Sequence, residues 1–76
     1  MGITVKFFAT FRQGRGKIVN IEVEQTITVK EVLDKVEIET EEVAILLVNG
    51  RDGKVDQLLK DGDTLSLFPP VGGGWL

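Results

Sequence analysis

The clearest chemical potential of this chain lies in a late run of prolines and glycines, namely Pro69, Pro70, Val71, Gly72, Gly73 and Gly74. Proline fixes one backbone dihedral, whereas glycine leaves the backbone unusually free. Their order therefore predicts a stiff exit from a folded body followed by a thin, flexible tip. Such a tip can enter a narrow active site on another protein, and the reactive group that it could present there is a terminal glycine carboxylate.

Two residues that follow the glycines, Trp75 and Leu76, complicate this chemistry. While they are attached, Gly74 ends in an amide. Reaction of a carboxylate at Gly74 therefore requires a peptidase that cuts after it. Two alternatives stay open: the tail is kept and Trp75 is a docking anchor, since tryptophan is a favoured interface residue, or the glycines are a disordered terminus.

The composition argues against a self-contained enzyme. Among 76 residues there is no His, Cys or Tyr, and Ser66 is the only serine. These residue types are the usual general bases, nucleophiles and soft metal ligands, and the chain has no such base to activate Ser66. We therefore expect no catalysis by this chain alone, no bound metal and no bound cofactor.

Charge and length exclude further classes of partner. The formal net charge is −3, and no stripe of basic and aromatic residues is present, which argues against nucleic acid as the main partner. The chain has no apolar run that could cross a bilayer and no signal-peptide pattern. We expect one cytoplasmic domain over residues 1–70 and a flexible tail over residues 71–76.

The hydrophobic pattern predicts the elements that hold this tail. Residues 3–8 and 19–23 alternate apolar and polar side chains around a glycine-rich turn, which is typical of a β-hairpin. Thr28 and Glu31 fit a helix capping box, and the apolar spacing after them predicts a short amphipathic helix. Residues 43–48 and 64–68 are predicted strands, with a very short strand at 54–56 and one helical turn at 57–60 between them.

This order of elements favours the α+β class, with one sheet wrapped on one helix. The first and last predicted strands lie on opposite sides of the helix in the sequence, so they can pair in parallel at the centre of the sheet. Side chains alternate between the two faces of a strand. Phe8 and Phe68 then lie together on the open face. The same alternation, with Ile45 directed toward the helix, places Leu46 on the open face too.

Three stretches of the sequence resemble the ubiquitin-like β-grasp sulfur carriers of the MoaD/ThiS family. Residues 5–12 (VKFFATFR) match its opening strand, residues 47–50 (LVNG) match its turn, and residues 59–74 carry D-G-D, F-P-P-V and Gly-Gly in register. The F-P-P-V run is more typical of the molybdopterin synthase small-subunit branch than of the thiamin branch. In this alignment Gly72 takes a variable position, and Gly73 and Gly74 match the terminal pair of the family.

The resemblance implies a β-grasp fold and sulfur carriage through Gly74. A ubiquitin-activating-like enzyme would adenylate the glycine carboxylate with ATP and magnesium, and the product would become a thiocarboxylate for molybdopterin biosynthesis. The implied partners are this adenylating enzyme, a protein like the molybdopterin synthase large subunit, and a tail-trimming peptidase. In the family the open sheet face meets the first two, which implies contacts by Phe8, Leu46, Phe68, Pro69, Pro70 and Val71.

Two other functions remain open on the sequence. A ubiquitin-like modifier would use the same activated Gly74 to form an isopeptide bond with a lysine of another protein. A non-catalytic interaction module would instead keep Trp75 and Leu76. Arg12, which follows the first strand, could steer an acidic partner or simply be solvated.

Overall fold

The computed structural model describes residues 1–70, and residues 71–76 lie outside that range. The elements are β1 (Gly2–Phe7), β2 (Ile18–Glu22), β3 (Ile27–Thr28), α1 (Val29–Lys35), β4 (Ile45–Val48), β5 (Arg51–Asp52), β6 (Leu58–Leu59) and β7 (Thr64–Phe68). Short 3-10 turns cover Ala9–Arg12 and Thr40–Glu42. The strands form a five-stranded sheet in the order β2-β1-β7-β4-β5 and a two-stranded ladder of β3 and β6. Within residues 1–70, no helix has the length and apolarity that a membrane span requires.

The first and last strands pair in parallel at the centre of the main sheet, as predicted. Val5 lies opposite Leu65, and Phe7 lies opposite Leu67. β7 also pairs antiparallel with β4, so it has a hydrogen-bonded neighbour on each side. Because parallel strands cannot be joined by a tight turn, the chain between them must cross over the sheet. That crossover contains α1.

The core lies between α1 and one face of the main sheet. Alternate residues of the two central strands are buried together with a helical stripe, and the side chains with no exposed surface are Ile3, Val5, Val29, Val32, Leu33, Leu59, Leu65 and Leu67. Burial of one large aliphatic side chain contributes about 1.5–3 kcal/mol relative to its exposure, so a core this thin depends on each of them. The architecture confirms the α+β class and the β-grasp arrangement of a mixed sheet on one helix.

The helix begins at the predicted capping box. Thr28 Oγ1 accepts a hydrogen bond from the Glu31 backbone N–H at 3.1 Å, and the Glu31 carboxylate accepts one from the Thr28 backbone N–H at 2.8 Å. The hydrogen bond from the Thr28 backbone is the main reason that the pKa of Glu31 lies below its usual value. After the helix ends, Arg15 of the β1–β2 loop donates to the Val36 and Glu37 carbonyls and ties this loop to the end of α1.

Two segments between β4 and β7 differ from the sequence predictions. The short strand predicted at residues 54–56 lies earlier, as β5, because Asn49 and Gly50 have positive φ angles of 54° and 83°. They form a two-residue hairpin loop that brings Arg51 opposite Val48. Residues 57–60 do not form the predicted helical turn; β6 lies there and pairs with β3, a strand that was not predicted. Leu59 of β6 is fully buried, so tertiary packing overrides the local helical preference.

Asp63 ties the loop before β7 to the hairpin loop after β4. Its carboxylate accepts hydrogen bonds from the Lys60 backbone N–H at 2.8 Å and from the Asn49 side-chain amide at 2.9 Å. Asn49 Oδ1 in turn accepts a hydrogen bond from the Thr64 backbone N–H. Asp63 is buried, and these hydrogen bonds, above all the one from Lys60, hold its pKa below the usual value. The network fixes the point at which β7 begins.

We expect acid to remove stability through Asp63. A carboxyl whose pKa is lower in the folded than in the unfolded protein stabilises the fold above its unfolded pKa, and this contribution is lost as pH falls through the folded pKa. Asp63→Asn should therefore lower the free energy of unfolding at neutral pH by about 1–3 kcal/mol. It should also reduce the further loss at acidic pH, as measured by urea denaturation across that range. Asp56→Asn at an exposed position is the control, and equal effects of the two variants would contradict this role.

Candidate functional site

Two phenylalanine rings stack on the sheet face opposite α1. Phe8 directly follows β1 and Phe68 ends β7, and their ring centroids lie 4.2 Å apart with an angle of 9° between the planes. Both side chains are half-buried. Such aromatic pairs contribute roughly 0.5–1.5 kcal/mol beyond the area that they bury. The predicted position of Phe8 beside Phe68 on the open face is confirmed.

A backbone reversal at Ala9 brings Arg12 back to this aromatic pair. Ala9 has a φ of 55°, in the left-handed region that residues other than glycine seldom adopt, and the 3-10 turn starts there. Arg12 Nε donates to the Phe7 carbonyl at 2.8 Å, and its guanidinium carbon lies 5.4 Å from the Phe8 ring centroid. A cation at this distance over an aromatic face is attracted to it. Arg12 is therefore part of the aromatic surface as well as a solvated charge.

Side chains of neighbouring strands extend the aromatic pair across the sheet. Ile45, which exposes 45% of its surface, lies opposite Phe68, and Leu47 lies opposite Ser66. Lys6 lies opposite Ser66 on the other side. These side chains form a surface that we name the sheet-face patch, which comprises Lys6, Phe8, Arg12, Ile45, Leu47 and Phe68. An apolar centre with cations beside it suits a partner with an apolar surface and acidic residues around it.

The prediction that Leu46 lies on the open face is wrong. Leu46 lies opposite the buried Leu67 and packs against the core on the helix side. Gly53 lies so close that a Cβ at this glycine would come within 2.7 Å of Leu46 Cδ2. Because residues 43–48 are uniformly apolar, the sequence shows no alternation that would assign their faces. Ile45 occupies the exposed position instead.

The chain leaves the centre of the sheet beside the sheet-face patch. Pro69, which follows β7, is buried, whereas Pro70 is exposed. Of the two prolines predicted to contact partners, Pro70 is accessible and Pro69 is packed within the domain. The remaining predicted site residues lie outside the described residues, namely Val71, Gly72, Gly73, Gly74, Trp75 and Leu76.

The described residues provide contacts but few reactive groups. Ser66 lies on the open face between Lys6 and Leu47, and the sequence contains no imidazole, thiol or phenol to activate it. Within residues 1–70, no group of three or more acidic side chains is placed to hold a metal ion.

Comparison with known protein families tests whether the chain that carries this surface belongs to one of them. The profile of the ThiS family matches residues 5–74, a range that includes the whole sheet-face patch and the glycine run. The chain belongs to the ThiS family. The match confirms the resemblance to ubiquitin-like sulfur carriers.

Relatives of this ThiS-family protein have several names. Small archaeal modifier protein 3 of Haloferax volcanii is 37% identical, and the alignment covers 97% of this chain and all of the relative. A Pyrococcus furiosus protein assigned as molybdopterin converting factor subunit 1 has 30% identity and a TM-score of 0.76, with 93% of this chain and 99% of that chain covered. A chain in the complex of subunits 1 and 2 of the Helicobacter pylori molybdopterin-converting factor has 26% identity and a TM-score of 0.64, with 97% of this chain and all of that chain covered.

Phe7 and Phe8 are adjacent at the end of β1, and we expect their substitution by alanine to reduce stability by unequal amounts. Phe7 is 1% exposed and lies in the core, so Phe7→Ala should lower the free energy of unfolding by about 3–5 kcal/mol. Phe8 lies on the open face, so Phe8→Ala should cost about 1–2 kcal/mol, mostly through the lost stacking on Phe68. Urea denaturation of both variants measures the difference. Similar losses would place Phe8 in the core and contradict its assignment to the sheet-face patch.

Proposed function

We propose that this ThiS-family protein is a sulfur carrier in molybdopterin biosynthesis and that Gly74 is its reactive residue. After the residues beyond Gly74 are removed, a ubiquitin-activating-like enzyme adenylates its carboxylate with ATP and magnesium, and the product becomes a thiocarboxylate. The observation that supports this most strongly is the exit of the chain from the central strand β7 beside the sheet-face patch. A partner bound to the patch is thereby close to the start of the tail.

The chemistry divides between the carrier and its partners. A carboxylate is a poor electrophile, so its oxygen first attacks the α-phosphorus of ATP and pyrophosphate leaves. Hydrosulfide supplied by a partner then attacks the carbonyl carbon, AMP leaves, and a thiocarboxylate remains. The carrier contributes an accessible glycine terminus, and the partners contribute the acids, bases and metal ion. A chain without His, Cys or Tyr suits this division.

Chain length limits how far Gly74 can lie from the patch. Four residues, 71–74, follow Pro70 up to and including Gly74. A fully extended chain spans at most roughly 3.5 Å per residue, so this segment reaches roughly 14 Å. A partner on the sheet-face patch must therefore bring its active site within that radius of Pro70. Because Pro69 is buried, the tail starts from a fixed point on the domain.

The relatives support a partner like the synthase large subunit. The Helicobacter pylori protein forms a complex with the other subunit of its converting factor, and we propose an equivalent partner for this chain. The F-P-P-V run at residues 68–71 favours the same branch of the family. We place the adenylation and the sulfur transfer in the cytoplasm, where ATP is available to the adenylating enzyme.

Conjugation to other proteins is a second function, and one relative favours it. The 37% identical Haloferax volcanii protein is a small archaeal modifier. A modifier would use the same adenylated Gly74, which a lysine amine of the target would attack to give an isopeptide bond and AMP. The two functions share the fold, the patch and the removal of Trp75 and Leu76, and they differ in the nucleophile. A non-catalytic module would instead keep Trp75.

Intact mass spectrometry of the protein from its own cells tests these alternatives. We expect a species that ends at Gly74 and a second that is heavier by the exchange of one oxygen for sulfur. Gly74→Ala should lose the sulfur-containing species because the activating channel is shaped for glycine, whereas Gly72→Ala at the variable position should keep it. Adducts with other proteins and no thiocarboxylate would favour the modifier. A single species that retains Leu76 would contradict both functions.

Partner binding tests the use of the sheet-face patch. Phe8→Ser should weaken binding to the large-subunit-like protein of the same organism about tenfold or more, since it removes a central aromatic contact. Leu58→Ser is the matched control, because Leu58 is 60% exposed and lies on β6, outside the patch. Isothermal titration calorimetry on variants with native thermal unfolding gives the affinities. Equal affinities of the two variants and the parent would rule out this surface.

A further inference from the structure

The two edges of the main sheet differ, and the proposed function uses neither. β5 forms one edge and has only two residues, both charged. β2 forms the other edge and has five residues. Short, charged edge strands resist pairing with a further strand, whereas a longer edge presents a row of unpaired backbone groups. β2 is therefore the edge at which another strand can add.

The register of β2 identifies the backbone groups that point away from the sheet. The Phe7 N–H donates to the Lys17 carbonyl, and the Val23 N–H donates to the Met1 carbonyl. The odd-numbered residues of this segment therefore bond to β1, and in an antiparallel ladder the residues between them direct N–H and C=O to the other side. In the described part of the chain, no group forms a hydrogen bond with the outward-directed backbone N–H and C=O groups of Ile18, Asn20 and Glu22.

A cleft of about 370 Å³ adjoins this edge on the helix side of the sheet. Val19 and Ile21 of β2 and Val36, which follows α1, give it an apolar lining. All three side chains are half-buried and pack against the core. Because side chains alternate along a strand, a segment added to β2 would direct every second side chain toward this cleft. Aliphatic side chains match its lining.

The cleft is lined by basic side chains. Arg15 and Lys35 line it, and Lys17 directly precedes β2. None of these three cations forms an ion pair with a carboxylate of residues 1–70. The Arg15 guanidinium donates to the carbonyls of Phe11, Val36 and Glu37, so its hydrogen bonds go to neutral backbone groups and not to a carboxylate. In a chain with a net charge of −3, this cluster is a local site of attraction for acidic groups.

The space between β2 and α1 becomes acidic beyond this first cleft, toward the end of β2 and the start of α1. Glu22, Glu24 and Glu31 line a second cleft there, and Lys35 lines both clefts. We name the two clefts together the β2–α1 groove. A groove with one basic and one acidic end favours a ligand whose acidic residues are confined to one end.

We propose that the β2 edge and the β2–α1 groove bind an extended peptide segment of another protein, with alternate aliphatic side chains and acidic residues at the Arg15–Lys35 end. The segment adds to the five-stranded sheet beside β2, and its backbone pairs with Ile18, Asn20 and Glu22. The groove lies on the helix side and the sheet-face patch on the opposite side. The protein can therefore hold such a segment while the patch and the tail engage an enzyme.

Nuclear magnetic resonance titration of the full chain tests this proposal. The probes are two synthetic peptides with a Val-Ile-Val-Ile core and a glutamate pair at either the amino or the carboxyl end. We expect saturable amide shifts at Ile18, Asn20 and Glu22 with at least one peptide, and no shifts at Phe8 and Phe68. Shifts confined to the sheet-face patch, or no saturable shifts, would overturn the proposal. Concentration-dependent shifts of β2 without peptide would assign the edge to a second copy of this chain and also overturn it.

Matched variants separate the charge contribution from the strand pairing. Lys35→Gln should weaken the glutamate peptide about two- to fivefold, as expected for one exposed ion pair. Lys30→Gln, on the same helix but outside the groove, should leave the affinity unchanged. A second comparison changes only the peptide, so it does not depend on the folding of a protein variant. Two isomers of the peptide are N-methylated on alternate amides, one isomer on the amides of one edge of the extended peptide and the other on those of the opposite edge. One methylated isomer should lose binding more than tenfold and the other should retain it, whereas equal binding of the two would exclude strand pairing.

Discussion

Parallel pairing of β1 with β7 is the constraint on which the rest of this structure depends. The pair is extended at both ends, because the Thr4 N–H donates to the Asp63 carbonyl at 3.0 Å and the Phe8 N–H donates to the Leu67 carbonyl at 3.2 Å. With these strands side by side, the chain between them must cross one face of the sheet, and α1 covers that face. The opposite face stays open. One pairing thus separates the residues that stabilise the fold from the residues that a partner can contact.

The motifs that carry the family resemblance have distinct physical tasks around β7. Asn49 of the V-N-G turn and Asp63 of the D-G-D turn hydrogen-bond to each other and fix where β7 starts. Pro69, the first proline of F-P-P-V, is buried and fixes where the strand ends. The glycine run follows this double attachment. Most of the recognisable sequence therefore positions the tail, and the proposed reaction itself needs little more than Gly74.

Local signals in the sequence were sufficient to predict the structure wherever a single residue pattern is compatible with a single local structure. The capping box at Thr28 predicted the start of α1, and alternation in the first and last strands predicted Phe8 beside Phe68. These signals were insufficient where contacts between residues distant in the sequence determine the position of a side chain. The run at residues 43–48 has no alternation, so the side of Leu46 followed only from its pairing with Leu67. The place of Arg12 depends on the positive φ of Ala9, and alanine gives no sequence signal for such a turn.

The contrast between the two sheet edges also limits how copies of this domain can associate. A filament of stacked sheets grows only if each added molecule presents a new edge to the next one. Here β5 offers two charged residues, Arg51 and Asp52, in place of a second usable edge. Any growth through β2 therefore stops after a single addition. The unequal edges therefore disfavour open-ended growth of the five-stranded sheet.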